Sequence, residues 1–398
     1  MPWKDTDVLK ERTKFVVASW DESWTMTELC RAFGISRKTG YKLLKRYAED
    51  GFEGLMDRPR APRTRPNETP ARVVERLVAA RKAHPNWGPR KLLLWLEKKH
   101  PGARWPAAST VGDILKRHDL VKPRKRRRRA TPATKPLAHA LGPNDVWCAD
   151  FKGWFRTGDG HRCDPLTVMD GYSRYLLTCR AVPHLGVGPT QRWFERAFRE
   201  YGLPRSIRTD NGSPFASTGL GGLTRLSVWW IKLGITPERI EPGKPQQNGR
   251  HERMHLTLKQ ETAMPPRRSL LAQQRAFNAF CGEYNDDRPH EAIGGRVPRE
   301  LYTPSPREYP RRIPEPEYPG HFEVRAVRHD GYLKWKGKYV FLAETLKRQR
   351  VGLEQVDERR WRICFYDVEL ALLDSPTRKV LRYTRRVEER SSAENNDG

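Results

Sequence analysis

Glu252 and Lys259 stand seven residues apart in the run Glu241-Pro-Gly-Lys-Pro-Gln-Gln-Asn-Gly-Arg-His-Glu-Arg-Met-His-Leu-Thr-Leu-Lys259. The Pro/Gly opening predicts a loop, and the residues after it predict a helix that Pro265 and Pro266 stop. At about 3.6 residues per turn, positions 252, 255, 256 and 259 share one face, while Met254 and Leu258 pair on another. An acid and a base so placed can serve one site, although on the helix alone a solvated charged face is the simpler account.

Two further carboxylates sit where a sheet would present them. Asp150 lies in Val146-Trp-Cys-Ala-Asp-Phe-Lys152, where Val146, Cys148 and Asp150 alternate onto one face of a strand. An unpaired carboxylate there would be driven neutral, so a cation or a cluster of donors is expected beside it. Asp210 ends the short strand Ser206-Ile-Arg-Thr-Asp210 and runs into the turn Asn211-Gly212-Ser213-Pro214. Its carboxylate then stands at the carboxyl end of a strand, where open α/β sheets keep their sites. Asp159, Asp164 and Asp170 are rival acids, but they read as turn or strand-end residues without the buried context of Asp150.

Trp147-Cys-Ala-Asp150, Arg208-Thr-Asp-Asn-Gly-Ser-Pro-Phe215 and Pro245-Gln-Gln-Asn-Gly-Arg-His-Glu252-Arg-Met occur in that order. Together they resemble the catalytic core of bacterial insertion-sequence transposases and retroviral integrases, the Asp/Asp/Glu enzymes with a ribonuclease H-like fold. The resemblance covers residues 143 to 295 and implies that Asp150, Asp210 and Glu252 are the catalytic, metal-binding acids. Lys259 matches a DNA-contacting lysine of the family, whereas Leu256 replaces a second one that retroviral integrases usually carry. The 41 residues between Asp210 and Glu252 exceed the usual spacing, and the surplus, in 216 to 230, reads as an insertion that leaves the site intact.

Exchange of one phosphodiester for another requires an activated oxygen, a stabilised five-coordinate phosphorus and a leaving oxygen. Two divalent ions about 3.5 to 4 Å apart serve all three needs. Hard oxygen ligands select magnesium or manganese. Asp150 is assigned to both ions, Asp210 to one, Glu252 to the other, and Lys259 to a DNA phosphate. No phosphate-binding Gly-rich loop followed by Lys-Ser or Lys-Thr occurs, and this chemistry needs no ATP. The expected activity is cleavage of a mobile element's ends and their joining to double-stranded target DNA by a homo-oligomer. A DNA-binding regulator with an inert core and a nuclease without joining are the alternatives.

The rest of the chain agrees with a nucleic-acid partner. Its 398 residues carry a net charge of +28, long enough for several domains and too basic for an ordinary metabolic enzyme. No apolar run approaches a spanning helix and no signal-like N-terminus precedes the first pattern, which argues against a membrane. The six cysteines have no Cys-x-x-Cys or Cys/His spacing of a zinc site and read as reduced thiols of a cytoplasmic, nucleoid-associated protein.

The elements that position the acids fall into a multidomain order. Residues 1 to 50 predict an all-α helix-turn-helix module in which a capping box, Thr25 to Glu28, opens the second helix and Ser36 caps the third. Arg37, Lys38, Thr39 and Lys42 would lie on the exposed start of a recognition helix. Residues 51 to 67 predict a Pro/Arg linker whose Arg58 and Arg60 suit a minor groove, and 68 to 121 a second helix-turn-helix module. In the linker at 122 to 143, Lys122, Arg124, Lys125, Arg126, Arg127, Arg128 and Arg129 would track phosphates. Residues 144 to 295 predict an α/β ribonuclease H-like core with a mixed sheet: strands at 144 to 155, 162 to 169 and 174 to 182, then alternating helix and strand. A Pro-rich linker at 296 to 320, a small β-barrel at 321 to 375 and a charged tail at 376 to 398 complete the order.

Overall fold

The computed structural model describes residues 7–58, 68–121, 137, 139–217, 219–241 and 249–381. The chain divides into two compact units, Met1–Thr69 and Pro70–Gly398.

In the first unit, α1 (Val8–Ala18), α2 (Met26–Ala32) and α3 (Arg37–Asp50) enclose Phe15, Val16, Leu29, Cys30 and Leu43. The capping box forms reciprocally between Thr25 and Glu28, and Ser36 accepts from the Thr39 N–H. Gly34 takes the positive φ of the intervening turn, +64°. Gly40 lets α3 approach the other helices, since a Cβ there would stand 2.7 Å from Cys30 Sγ and 2.9 Å from Phe15 Cζ. A 3₁₀ turn, Gly51–Leu55, then buries Leu55 completely in this core, and Arg12 holds the Leu55 carbonyl and the Asp57 carboxylate. The first residues of the expected linker therefore belong to the folded unit, because Leu55 supplies apolar surface that the three helices alone leave open.

The second unit begins with α4 (Ala71–Ala83), α5 (Pro89–Lys99) and α6 (Ala108–Arg117), closed around Leu77, Trp87, Leu92, Leu96, Val111 and Ile114. This trihelical module rests on residues 283–300: His84 Nδ1 lies 3.0 Å from Glu283, Lys98 Nζ lies 2.7 Å from Glu300, and the Arg288 guanidinium covers the Trp87 ring.

The core strands are β1 (Val146–Phe151), β2 (Phe155–Arg156), β3 (Arg162–Asp170), β4 (Leu176–Val182), β5 (Ser206–Thr209) and β6 (Thr236–Arg239). β3 pairs antiparallel with β1, β2 and β4, while β5 runs parallel to β1 and β6 parallel to β5. The main sheet order is thus β4-β3-β1-β5-β6, the mixed ribonuclease H-like arrangement. The run expected as one strand from 144 to 155 is split at Gly153, whose φ of +85° breaks the pleat. One face carries α7 (Val187–Tyr201) and α8 (Arg225–Lys232) over Trp147, Leu166, Val168, Phe194 and Trp230. The other carries α9 (Gly249–Thr262) and α10 (Leu270–Gly282) over Met169, Cys179, Met254, Leu258 and Phe277.

The expected β-barrel does not form. β7 (Glu323–Ala326), β10 (Arg350–Gln355), β11 (Arg360–Phe365), β12 (Val368–Asp374) and β13 (Lys379–Leu381) make an open antiparallel sheet in the order β7-β10-β11-β12-β13. β8 (Tyr332–Trp335) and β9 (Lys338–Phe341) form a separate hairpin, linked to the segment after β7 through the bridge Val327 to Leu333. Among the described residues the edge strands β7 and β13, of 4 and 3 residues, do not exchange a ladder with each other or with the hairpin, so the sheet stays open. Leu220, Leu223, Val228 and Ile231 join the same apolar cluster as this sheet. The surplus between Asp210 and Glu252 thus seats the C-terminal sheet on the core. Among the described residues, no helix is long and apolar enough to cross a membrane.

His290 is buried at the seat of the trihelical module, its Nε2 3.3 Å from the Tyr284 carbonyl. Burial, followed by the charge of Lys91, with Arg288 and Arg174 adding to it, lowers its pKa from 6.5 to about 3. The unfolded chain binds the extra proton between those two values. The contribution is therefore fully present above 6.5 and is lost as pH falls toward 3, by about 1.4 kcal/mol per pH unit. His290→Gln is expected to flatten the acid limb of stability by that slope, measured as urea unfolding free energy at pH 6.5 and 4.5 against the parent chain.

Candidate active site

Two acids are placed by strand register. Cys148 pairs with Arg208 and Ala149 with Thr209 in the parallel β1–β5 ladder. Asp150 and Asp210 are the next residues of each chain segment, so both reach the carboxyl ends of adjacent strands. The Asp210 carboxylate accepts the Gly212 N–H at 3.1 Å. A Cβ on Gly212 would stand 3.0 Å from Asp210 Oδ2, which makes glycine the residue that fits the turn. Asn211 donates to the Ile240 carbonyl and ties this turn to the end of β6.

The third acid is placed by α9. Its inward face is His251, Met254, His255, Leu258 and Thr262, and Glu252, Leu256 and Lys259 are exposed. His255, which spacing alone puts with Glu252, turns into the protein instead. Thr167 on β3 lies opposite Asp150, and its hydroxyl lies 2.6 Å from His251 Nε2, 2.7 Å from His255 Nε2 and 3.1 Å from the Asp150 carbonyl. On its far side, His255 Nδ1 stands 3.7 Å from Asp150 Oδ2. Arg250 adds a bond from the first turn of α9 to the Gly171 carbonyl.

Both imidazoles are held neutral. Burial lowers the His251 pKa to about 3, and burial, then His251 and Lys152, push His255 far below its ordinary value. A neutral imidazole has one N–H and one lone pair, and the Thr167 hydroxyl has one proton. With the Thr167 hydroxyl donating to the Asp150 carbonyl, both imidazoles donate Nε2–H to Thr167 Oγ1 and keep Nδ1 unprotonated. His251 Nδ1 is then a bare acceptor, and it is buried with no hydrogen-bond partner among the described residues. The sequence reading missed His251, His255 and Thr167. The available signal was the i, i+4 histidine pair beside Met254 and Leu258, with Thr167 on the alternation that carries Met169.

The rival acids are more buried than expected, with Asp164 at 2% and Asp170 at 0% exposure. They are buried because they are bonded: Asp164 accepts two bonds from Arg162, and Asp170 accepts from Asn144 N and from Ser173 N and Oγ. Burial nonetheless raises the Asp170 pKa. Asp159 is taken by Thr157. These roles are structural.

Asp150, Asp210 and Glu252 offer the hard oxygen donors that magnesium or manganese prefers. The sheet brings the first two to adjacent strand ends, and α9 carries the third on the turn before His255. Among the described residues, no three His, Cys, Asp or Glu side chains converge on one metal position. Of the proposed DNA contacts, Arg37, Lys38, Thr39 and Lys42 are exposed on the first turns of α3, with the Thr39 hydroxyl 2.9 Å from Ser36 Oγ. Arg58 is not a free arm, since it pairs with Asp50 at 2.8 Å. Arg60, Lys122, Arg124, Lys125 and Arg126 to Arg129 lie outside the described residues.

Family models match this architecture: an integrase core domain over residues 140–245 and 233–298, a helix-turn-helix domain over 11–63 and a homeodomain-like domain over 39–115. The chain is 29% identical over 264 residues to an uncharacterized protein of insertion element IS476 from Xanthomonas euvesicatoria, covering 65% of this chain and 72% of that one. It is 25% identical over 298 residues to the transposase InsD of IS2 from Escherichia coli, covering 70% and 90%. The chain is similar to the integrase-core transposases of insertion sequences. An uncharacterized protein of IS407 from Burkholderia multivorans is 30% identical over 182 residues, 46% of this chain, which spans only 63% of that relative's length. Among solved structures, the catalytic core domain of HTLV-2 integrase, in complex with magnesium, aligns with 18% identity and a TM-score of 0.33, covering 41% of this chain and 99% of that one. A simian T-cell lymphotropic virus intasome chain aligns at 16% identity and 0.36, covering 78% and 99%.

Thr167→Val keeps the shape and removes the shared hydroxyl, leaving buried imidazole nitrogens unpaired at about 1–3 kcal/mol each. Urea unfolding is expected to show a loss of about 2–4 kcal/mol and hydrogen exchange to show faster exchange of α9 amides, with Thr167→Ser restoring both. Parent-like stability in Thr167→Val would mean that the hydroxyl does not hold the helix.

Proposed function

We propose that this chain is a DNA transposase that binds the ends of its element, cleaves them and joins the 3′-hydroxyls to target DNA. What supports this reading is the β1–β5 register, in which Asp150 and Asp210 follow the paired residues at the carboxyl ends of neighbouring strands. Two magnesium or manganese ions, when bound, would supply the charge that activates the attacking oxygen and stabilises the phosphorus centre. Asp150 would hold both, Asp210 and Glu252 one each. The exposed Lys259 ammonium can hold a DNA phosphate beside Glu252. Arg37, Lys38 and Lys42 at the start of α3 would grip the element's end, with the second trihelical module contacting DNA from its seat on the core.

One chain carries a single set of the three acids, yet an element has two ends to be joined. The active species is therefore a homo-oligomer of at least two subunits on DNA.

Asp150→Asn, Asp210→Asn and Glu252→Gln are each expected to reduce strand joining about 10²–10³-fold in magnesium, the scale of losing one preorganised electrostatic group. Binding to a duplex of the element's end should stay within about threefold, because only a few of the contributing charges change. Gel assays of cleavage and joining beside anisotropy would measure both. Parent-like joining by any one variant removes that residue from the site, and cleavage without joining by the parent chain makes it a nuclease.

A further inference from the structure

The β8–β9 hairpin has an inner face that anchors it and an outer face whose aromatic rings stay partly exposed. Leu333, Trp335 and Val340 are buried in the C-terminal apolar cluster. Strand alternation sends Tyr332, Lys334, Tyr339 and Phe341 outward, with Tyr332 opposite Phe341 and Lys334 opposite Tyr339. Three aromatic rings thus line one side of a short ribbon, yet Tyr332, Tyr339 and Phe341 keep 38%, 53% and 49% exposure. The Tyr332 and Phe341 rings meet edge to face at 5.1 Å, and Arg328 lies over Tyr339 at 4.6 Å. Gly331 makes the ladder possible: its φ is +88°, and a Cβ there would stand 2.9 Å from the Ala343 carbonyl and 3.1 Å from the Phe341 ring.

The charge around these rings is one-sided. From 328 to 341 the chain carries Arg328, Lys334, Lys336 and Lys338 against one carboxylate, Asp330, which is 3.4 Å from Arg328. An apolar protein partner would gain nothing from that rim. A ligand with flat π faces joined by a regular run of anions would meet both features at once.

We propose that the outer face of the β8–β9 hairpin is a binding site for single-stranded DNA, with unpaired bases stacking on Tyr332, Phe341 and Tyr339 while Arg328, Lys334 and Lys338 meet the phosphates. Bases in a duplex are already stacked on one another and offer these rings only an edge, so the aromatic component selects unpaired strands. The cationic component is shared by both forms. The proposal rests on the reading of the chain as one that breaks and joins DNA ends, where strands unpair beside the cut.

The test uses the full chain and two probes, a 20-nucleotide oligothymidylate and a 20-base-pair blunt duplex of about the same length, in about 0.3 M salt to suppress contacts made by charge alone. Tyr332→Ala and Tyr339→Ala are each expected to weaken oligothymidylate binding about tenfold, the scale of one stacked base, and duplex binding less than threefold. Tyr339→Phe should keep parent affinity, and Lys334→Glu should weaken both probes. Independently of any variant, oligothymidylate carrying 5-iododeoxyuridine should photocross-link to the peptide containing Tyr332 or Tyr339. Equal losses on both probes would overturn the single-strand assignment in favour of a duplex contact. Parent-like affinity in both alanine variants with no cross-link in this hairpin would overturn the site altogether, and a change of oligomeric state in those variants would then assign the face to a second copy of the chain. A chain that cross-links here yet joins no ends sinks the transposase reading and leaves this site standing.

Discussion

The Thr167 hydroxyl ties the helix that carries Glu252 to the sheet that carries Asp150. Asp150 and Asp210 are held by the sheet, one residue beyond paired positions in β1 and β5. Glu252 has no such ladder. Its helix is fastened by Thr167, which binds two buried imidazoles of α9 and lies against the backbone of Asp150. The joint is neutral, which spares it the desolvation of a charge but leaves His251 Nδ1 buried without a partner among the described residues. Protonated imidazoles at the same depth would carry a heavy desolvation penalty, and the depressed pKa values of His251 and His255 are the sign of that penalty.

The same economy appears in what surrounds the sheet. The C-terminal strands do not close on themselves, and they share a cluster with Leu220, Leu223, Val228 and Ile231 from the stretch that lengthens the spacing between the second and third acids. An insertion that looked like slack is an apolar seat. On the α9–α10 side, residues 283–300 receive the second trihelical module through ion pairs and the Arg288–Trp87 stack. A DNA-binding module seated in this way keeps its distance to the acids, which a module hung only on a chain of arginines would not.

Much of this was legible in the residues themselves. Local rules reach a capping box, the glycine turn before α3, and two acids at the ends of short apolar strands, because each depends on neighbours a few positions away. Tertiary structure alone decided three other things. His255 shares a helical face with Glu252 by spacing, yet it turns inward because Thr167, 88 residues away, offers its hydroxyl there. Asp164 and Asp170 read as turn or strand-end residues without the buried context of Asp150 and are buried, since Arg162, Asn144 and Ser173 supply the bonds that burial demands. The C-terminal strands carry the alternation of a barrel, and alternation fixes which face is apolar but not whether two edge strands meet. In each case the deciding partner is distant in the chain, and no periodicity encodes it.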